Sequence, residues 1–428
     1  MLQEECQWMN EGDIMADKKQ VKKWFPTQKI EYIDGKKKLG IKIDWSLVRK
    51  EYRKLHCPPD SHNPLLADFS KCGYIIDLSD RSRGKTTNKL LVGLILFKLY
   101  GIVMHYIRQR KDECEYKMLS DLYETVKDYD YISKIFDDEY DDIEYVGKRW
   151  YLIKRDMSGN VMYTCEDNCT FCIGLDENDK LKSTYNAPRG DMIFHDEFIT
   201  STYGWNDFIR FTDICKTIIR DRLSPVIFMS SNTINKNSQW FDELCIRSDI
   251  EGMEMGDKKY IETTLGTHLY IDFLAENVSP VREKVNMRFW GFPNPRLASI
   301  TGKGKWATES FQHIPTYTED DEQPRELQNI VFISMSGKYV KLKLVKDAQL
   351  GLCVFVTPAT KIYDDSVILT ADDIMSKRHL FGLGKGTFLE AYWKLYDQNK
   401  FYYSRNSEGA FVKSYISYYR TKSRSMKG

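Results

Sequence analysis

The sequence predicts an α/β fold in which a largely parallel sheet is covered by helices on both faces. Three observations predict it. Apolar, β-prone runs alternate with helix-like segments from Gly73 to about residue 250, the pattern of strands buried on both sides. A Gly-Lys-Thr loop separates the first run, Tyr74-Ile75-Ile76, from a strongly apolar helical segment. A later run, Met192-Ile193-Phe194, leads through His195 into the acid pair Asp196-Glu197.

Taken in order, residues 1–70 carry aromatic and basic residues without clear periodicity and read as an N-terminal extension. From Gly73 the pattern is strand, loop, helix over Thr86 to Tyr100, then a β-prone Ile102 to Ile107, which together make a βαβ unit. Leu119 to Val126 suggests another helix. Ile143 to Ile153 and Val161 to Ile173 suggest strands in an inserted hairpin region. A helix over about Asn206 to Asp221 precedes a further apolar strand, Val226-Ile227-Phe228-Met229. These segments define a domain over 71–290.

Pro293, Pro295, Gly302, Gly304, Pro315 and the acidic run Glu319 to Glu322 have linker composition, so 291–328 reads as a connection. Beyond it, Asn329 to Ser334, Tyr339 to Val345 and Leu352 to Val356 are short β-prone runs, and Phe388 to Lys400 is helical. Residues 329–428 thus form a smaller α/β module.

Hydrophobic residues at 42% and charged residues at 29% fit a globular chain rather than a disordered one. The N-terminus lacks a basic segment followed by an apolar run, so no secretory signal is expected. Leu90 to Met104 is too short to span a bilayer and contains Lys98, which favours a buried helix running into a strand. Ten cysteines without a signal sequence are expected to be reduced, small buried hydrophobes. Cys165, Cys169 and Cys172 cluster, but a structural zinc site needs a fourth ligand that this stretch lacks. His56-Cys57 and His62 lie among Pro58, Pro59 and Pro64 and read as a turn-rich connection.

Charge is segregated. Residues 327–428 hold 16 Lys/Arg against 8 Asp/Glu, a net +8, so with +1 overall the remainder is −7. A basic C-terminal third can attract a polyanion or can simply be a solvated surface.

The stretch Ser79-Asp80-Arg81-Ser82-Arg83-Gly84-Lys85-Thr86-Thr87 ends as a phosphate loop does, with serine where the first glycine usually stands. Placed between a strand and a helix, its backbone N–H groups and the helix N-terminus can face phosphate oxygens. Lys85 is expected to neutralise the β- and γ-phosphates of ATP, and Thr86 to ligate Mg²⁺ together with Asp196. Arg81 or Arg83 can add positive charge near the γ-phosphate, and Asp80 opposes it. Glu197 is expected to orient and deprotonate the attacking water. Asn232, in the polar cluster Ser230-Ser231-Asn232-Thr233 at a strand tip, suits a γ-phosphate sensor acting on Asn235 to Trp240. His195 reads as a packing residue. Asn235-Lys236-Asn237-Ser238 lacks the aspartate of a guanine-reading motif, which favours ATP over GTP.

Taken together, Arg81 to Thr86, Phe194 to Ile199, Arg220-Asp221-Arg222 and Ser231-Asn232 resemble the DNA-packaging motor ATPases of small short-tailed bacteriophages of the picovirus type, relatives of the terminase large subunits. The resemblance covers about residues 72–250. It implies a RecA-like, ASCE-type P-loop ATPase domain followed by a vestigial RNase-H-like nuclease domain. It also implies a homo-oligomeric ring of about five subunits, with the portal, the procapsid, double-stranded DNA and a structural RNA as partners. The place of action would be the host bacterial cytoplasm, at the portal vertex. Each ATP would sit between neighbours, with Arg220, or else Arg222, reaching across as a trans-acting arginine. Because Asn329 to Lys346 contains no acid and Asp364, Asp365, Asp372 and Asp373 fall in expected loops, the nuclease is expected to be inactive. Lys338, Lys341 and Lys343 are its candidate DNA contacts. Two other readings stay open: another nucleic-acid-dependent P-loop ATPase such as a helicase, and a degenerate P-loop protein that binds a partner without turnover.

Overall fold

The structure, a computed structural model, describes residues 20–27, 41–59, 61–79, 83–185, 189–200, 206–220, 222, 224–232, 237–274, 284, 288–289, 311–335, 338–359, 361–370, 379–381, 383 and 386–425. Asp80, Arg81, Ser82, Asp221, Thr233, Asn235, Lys236, Asp372 and Asp373 lie outside them, as do residues 291–310 of the expected connection.

The first sheet uses β1 (Gln20–Lys22), β2 (Tyr74–Leu78), β3 (Met104–Arg108), β4 (Asp142–Val146), β5 (Arg149–Arg155), β6 (Val161–Gly174), β7 (Met192–Asp196), β8 (Val226–Ser231), β9 (Lys258–Glu262) and β10 (His268–Phe273). Its order is β4-β5-β6-β3-β7-β8-β2-β10-β9, with β1 beside β6. From β6 to β10 every neighbouring pair is parallel. The antiparallel hairpins β4-β5 and β9-β10 lie at the two ends. The inserted region therefore does more than form a hairpin, since β6 joins the parallel core along β3.

Parallel strands need covering on both faces, and their alternation shows how this is met. Ile75, Met104, Tyr106, Phe194 and Phe228 face one apolar cluster, while Ile76, Ile107, Ile193, Ile227 and Met229 face another. The first cluster is built on a helix, Lys85–Tyr100, that is apolar all round and buried from Asn88 to its end, as a core helix must be. It stops at Gly101, whose left-handed φ of 66° closes the last turn with an N–H bond to the Phe97 carbonyl, a conformation glycine adopts without strain. The second cluster is covered by a helix over Asp207–Ile219 through Phe211, Ile214, Cys215 and Ile218. We call the helices α1 (Trp45–Arg53), α2 (Lys85–Tyr100) and α3 (Asp207–Ile219).

The described parts of the expected N-terminal extension belong to this core. Asp44 caps α1 by accepting from the Ser46 and Leu47 N–H groups, and α1 buries Val48 and Tyr52 in the α2 cluster. Trp24 packs edge-on against Phe136 and Tyr140.

The second sheet holds β11 (Arg325–Met335), β12 (Lys338–Asp347), β13 (Gly351–Pro358), β14 (Val367–Thr370), β15 (His379–Phe381) and β16 (Phe401–Tyr403), in the order β15-β14-β11-β12-β13-β16. Its centre is antiparallel, and β14, β15 and β16 are added in parallel. Helices α4 (Glu390–Asp397) and α5 (Asn406–Ser425) cover one face. On the other face, Ile314 and Tyr317 pack near Cys353 and Phe355, and Ile314 donates its N–H to the Tyr403 carbonyl. The described end of the expected connection is thus part of the second unit. No helix among the described residues is long and apolar enough to cross a membrane.

Candidate active site at the carboxyl edge of the parallel sheet

Strands β2, β7 and β8 are parallel, so their carboxyl ends share one edge of the sheet, where ligands of open α/β sheets bind. The topology brings Ser79, Asp196, Glu197 and Asn232 together there. One strand, β8, separates β2, which precedes the expected phosphate loop, from the acid-bearing β7.

At the helix start, Gly84 has a left-handed φ of 70°, which glycine permits at no steric cost. Lys85 is buried and donates from Nζ to Ser79 Oγ and, at 2.6 Å, to Asn232 Oδ1. The Asn232 amide donates to one Glu197 oxygen and its backbone N–H to the other, at 3.1 Å. Asn232 therefore links the lysine to the acid. Glu197 holds a left-handed φ of 53°, a strained conformation for a non-glycine residue of the kind concentrated at functional sites. Thr86 Oγ1 lies 3.2–3.3 Å from both Asp196 oxygens, so the expected metal pair is in contact.

Electrostatics sharpen these roles. Burial pulls the Lys85 ammonium down to about 8, with Lys89 adding repulsion. Burial lifts the Glu197 carboxyl above its ordinary value and Asp196 adds to the lift, against the Asn232 N–H, Lys85 and Arg108. A raised carboxyl is a better proton acceptor. His195 is fully buried between the rings of Phe211 and Trp240, and burial lowers it to about 3, so it is a neutral packing group.

Compared as a fold, the chain is similar to the phi28 gp11 DNA packaging motor, at 16% identity and a TM-score of 0.53 over 85% of this chain and 99% of that one. It is also similar to the bacteriophage phi29 viral genome packaging motor assembly, at 16% identity and a TM-score of 0.50 over 82% and 97%. Its fold is that of the phage DNA-packaging motors. No protein-family model matches the sequence, and no curated protein matches it.

Within the packaging-motor fold, the expected arginines sit at the far edge. Helix α3 carries the chain back from the carboxyl end of β7 to the amino end of β8, so Arg220 and Arg222 lie at the edge of the sheet opposite Lys85 and Glu197. Arg222 is consumed locally: its guanidinium is 3.0 Å from Asp191, whose carboxylate is completely buried. Freeing it to reach a neighbour would strand a buried acid. Arg220 is exposed and bonds the Thr217 and Tyr185 carbonyls, in a backbone with φ of 46°.

The three candidate lysines of the second sheet are likewise engaged. Lys338 pairs with Asp242, Lys341 is buried over the rings of Phe332 and Tyr363, and Lys343 is 3.2 Å from Glu326. Asp364 and Asp365 form a turn. Cys165, Cys169 and Cys172 are buried along β6, and burial raises all three thiols.

Sequence reasoning missed three contributors. His62 is buried, lies 3.2 Å from Asp77, and donates its N–H to the Arg83 carbonyl. Its segment is therefore tied through its backbone to Arg83 and through its side chain to β2. Lys89 is completely buried, pairs with Asp77 and bonds Ser230 at 2.7 Å, which ties α2 to β2 and β8. Burial alone would raise Asp77, but His62 and Lys89 hold it below the usual carboxylate range. Tyr106, on β3, donates to Asp196 at 2.7 Å. The signal for Lys89 was an extra lysine one turn beyond Lys85, at the start of the apolar run of α2.

Proposed function

We propose that this chain is the ATP-hydrolysing subunit of a motor that drives viral double-stranded DNA into a procapsid. The observation that carries the reading is the contact set at the carboxyl edge, Lys85 to Asn232 to Glu197 with Thr86 against Asp196. It supports a RecA-like, ASCE-type ATPase site rather than a degenerate loop. The packaging-motor fold supplies the choice among nucleic-acid ATPases.

In this reading Lys85 binds the terminal phosphates, and Thr86 and Asp196 would hold Mg²⁺. The metal, when bound, neutralises charge on the β- and γ-oxygens. Glu197 takes a proton from the attacking water, and Asn232 releases it for that task once Lys85 turns to phosphate. Arg220 is the candidate trans-acting arginine of a homo-oligomeric ring, five-membered in our reading and docked on a portal in the host cytoplasm. The C-terminal unit is read as a vestigial, non-cleaving RNase-H-like domain, supported by its antiparallel β13-β12-β11 extended by parallel β14 and β15.

The test is ATP hydrolysis with and without double-stranded DNA, with Glu197→Gln subunits mixed into wild type. DNA-stimulated turnover that is poisoned by mixing is expected. Turnover that is absent under every condition sinks the reading, and stimulation indifferent to portal-bearing procapsids favours a helicase.

A further inference from the structure

One cation at the site is marked by no motif. Arg108 ends β3, next to β7 in the sheet, and therefore sits at the same carboxyl edge as the acid pair. Its Nη1 is 3.6 Å from Asp196 Oδ2, while its Nε donates to Glu113 at 3.0 Å. The side chain is only 22% exposed. Burial works against its charge, but Tyr106, Asp196 and Glu113 hold its pKa above the ordinary arginine value. The same charge acts on Glu197, favouring its ionised form.

The Asp196 oxygen that faces Arg108 also receives the Tyr106 hydroxyl and the Thr86 hydroxyl. A guanidinium and a dication cannot both sit on one carboxylate oxygen without strong repulsion. When Asp196 and Thr86 turn to a metal, the Nη1 end of Arg108 loses its partner, while the Nε end stays tethered to Glu113. A planar, permanently charged fork anchored at one side and free at the other is suited to bind a phosphoryl oxygen.

We propose that Arg108 is a second arginine of phosphoryl transfer, acting in cis. It neutralises Asp196 before nucleotide arrives, yields that carboxylate to the metal, and then contacts the terminal phosphate of the nucleotide on its own subunit, with Glu113 as the positioning residue. This rests on the nucleotide site proposed above.

The experiment compares wild type with Arg108→Ala, Arg108→Lys and Glu113→Gln by three readouts: Mn²⁺ binding followed by electron paramagnetic resonance without turnover, affinity for a fluorescent ATP analogue, and DNA-stimulated kcat. Arg108→Ala should bind Mn²⁺ several-fold more tightly, because a competing cation is gone, and should lose about 100-fold in kcat. Arg108→Lys should recover metal competition but not kcat, and Glu113→Gln should lower kcat with little change in nucleotide affinity. Mixing Arg108→Ala with Glu197→Gln subunits should restore nothing, since both defects lie in the same subunit's site. Weaker Mn²⁺ and nucleotide binding together in Arg108→Ala, an unchanged kcat, or restoration on mixing each overturns the cis role. If wild type binds neither Mn²⁺ nor the analogue, it is the nucleotide-site reading that fails.

Discussion

Glu197 of the first sheet and the carboxylates Glu326 and Asp347 of the second are treated in opposite ways. At the edge of the first, Glu197 is buried on a strained backbone and its proton affinity is raised. In the second, Glu326 has Asn329 and Lys343 as partners, and Asp347 accepts from Tyr317 and from the Gln349 and Leu350 N–H groups, so both are held below their ordinary values. A carboxylate whose charge is well satisfied has little affinity for a proton, whereas one whose charge is disfavoured can act as a base. The first arrangement suits chemistry and the second suits a turn or a strand pair.

The largest test of that contrast is Glu197→Gln against Glu326→Gln. The first should cut DNA-stimulated hydrolysis at least about 1,000-fold, within the range for loss of a general base, and the second should leave the rate within twofold. The next is stability. Lys89→Met leaves Asp77 charged and buried and should cost about 3–5 kcal/mol, while Lys343→Met at the half-exposed pair should cost under about 1 kcal/mol; urea unfolding measures both.

Arg222→Ala should also destabilise by several kcal/mol through Asp191, whereas Arg220→Ala should leave stability within about 0.5 kcal/mol and abolish turnover. Asp191 adds a pH signature. Burial raises its carboxyl to about 6 against the opposing Arg222, so between about pH 4 and pH 6 the folded chain binds more protons than the unfolded one. Its contribution therefore falls as pH rises through that window. Arg222→Ala should be least harmful at the acid end, as thermal unfolding at several pH values would show.

The smallest effect concerns Lys85. With its ammonium at about 8 in the folded chain, ATP binding should draw in a proton, and affinity should fall about tenfold for each pH unit above 8. Calorimetry in two buffers of different ionisation enthalpy reads the proton uptake. An affinity flat from pH 7 to 9 would remove the buried-lysine argument.

Much of the first sheet was legible because its signals are local. Tyr74 to Ile107 spells out strand, loop, helix and strand in one run, and Asp196-Glu197 follows its strand directly. The long-range supports were not legible. His62 meets Asp77 only after the chain has folded back, and Arg108 carries no motif. In the second unit α5 was missed because Val412, Tyr415 and Ile416 favour strands by propensity, although Phe411, Val412, Tyr415, Ile416 and Tyr419 already recur at helical spacing. The expected connection was misread at its described end because its prolines and acids mask Ile314 and Tyr317, which only the partner strands reveal as core.

One consequence of Asn232 is an order of events. Its single side chain holds both Lys85 and Glu197, so in the proposed reading the resting pocket would be its own inhibitor. In that reading nucleotide would have to arrive before Glu197 is released. Such an interlock would suppress idle hydrolysis and tie each cleavage to a filled pocket.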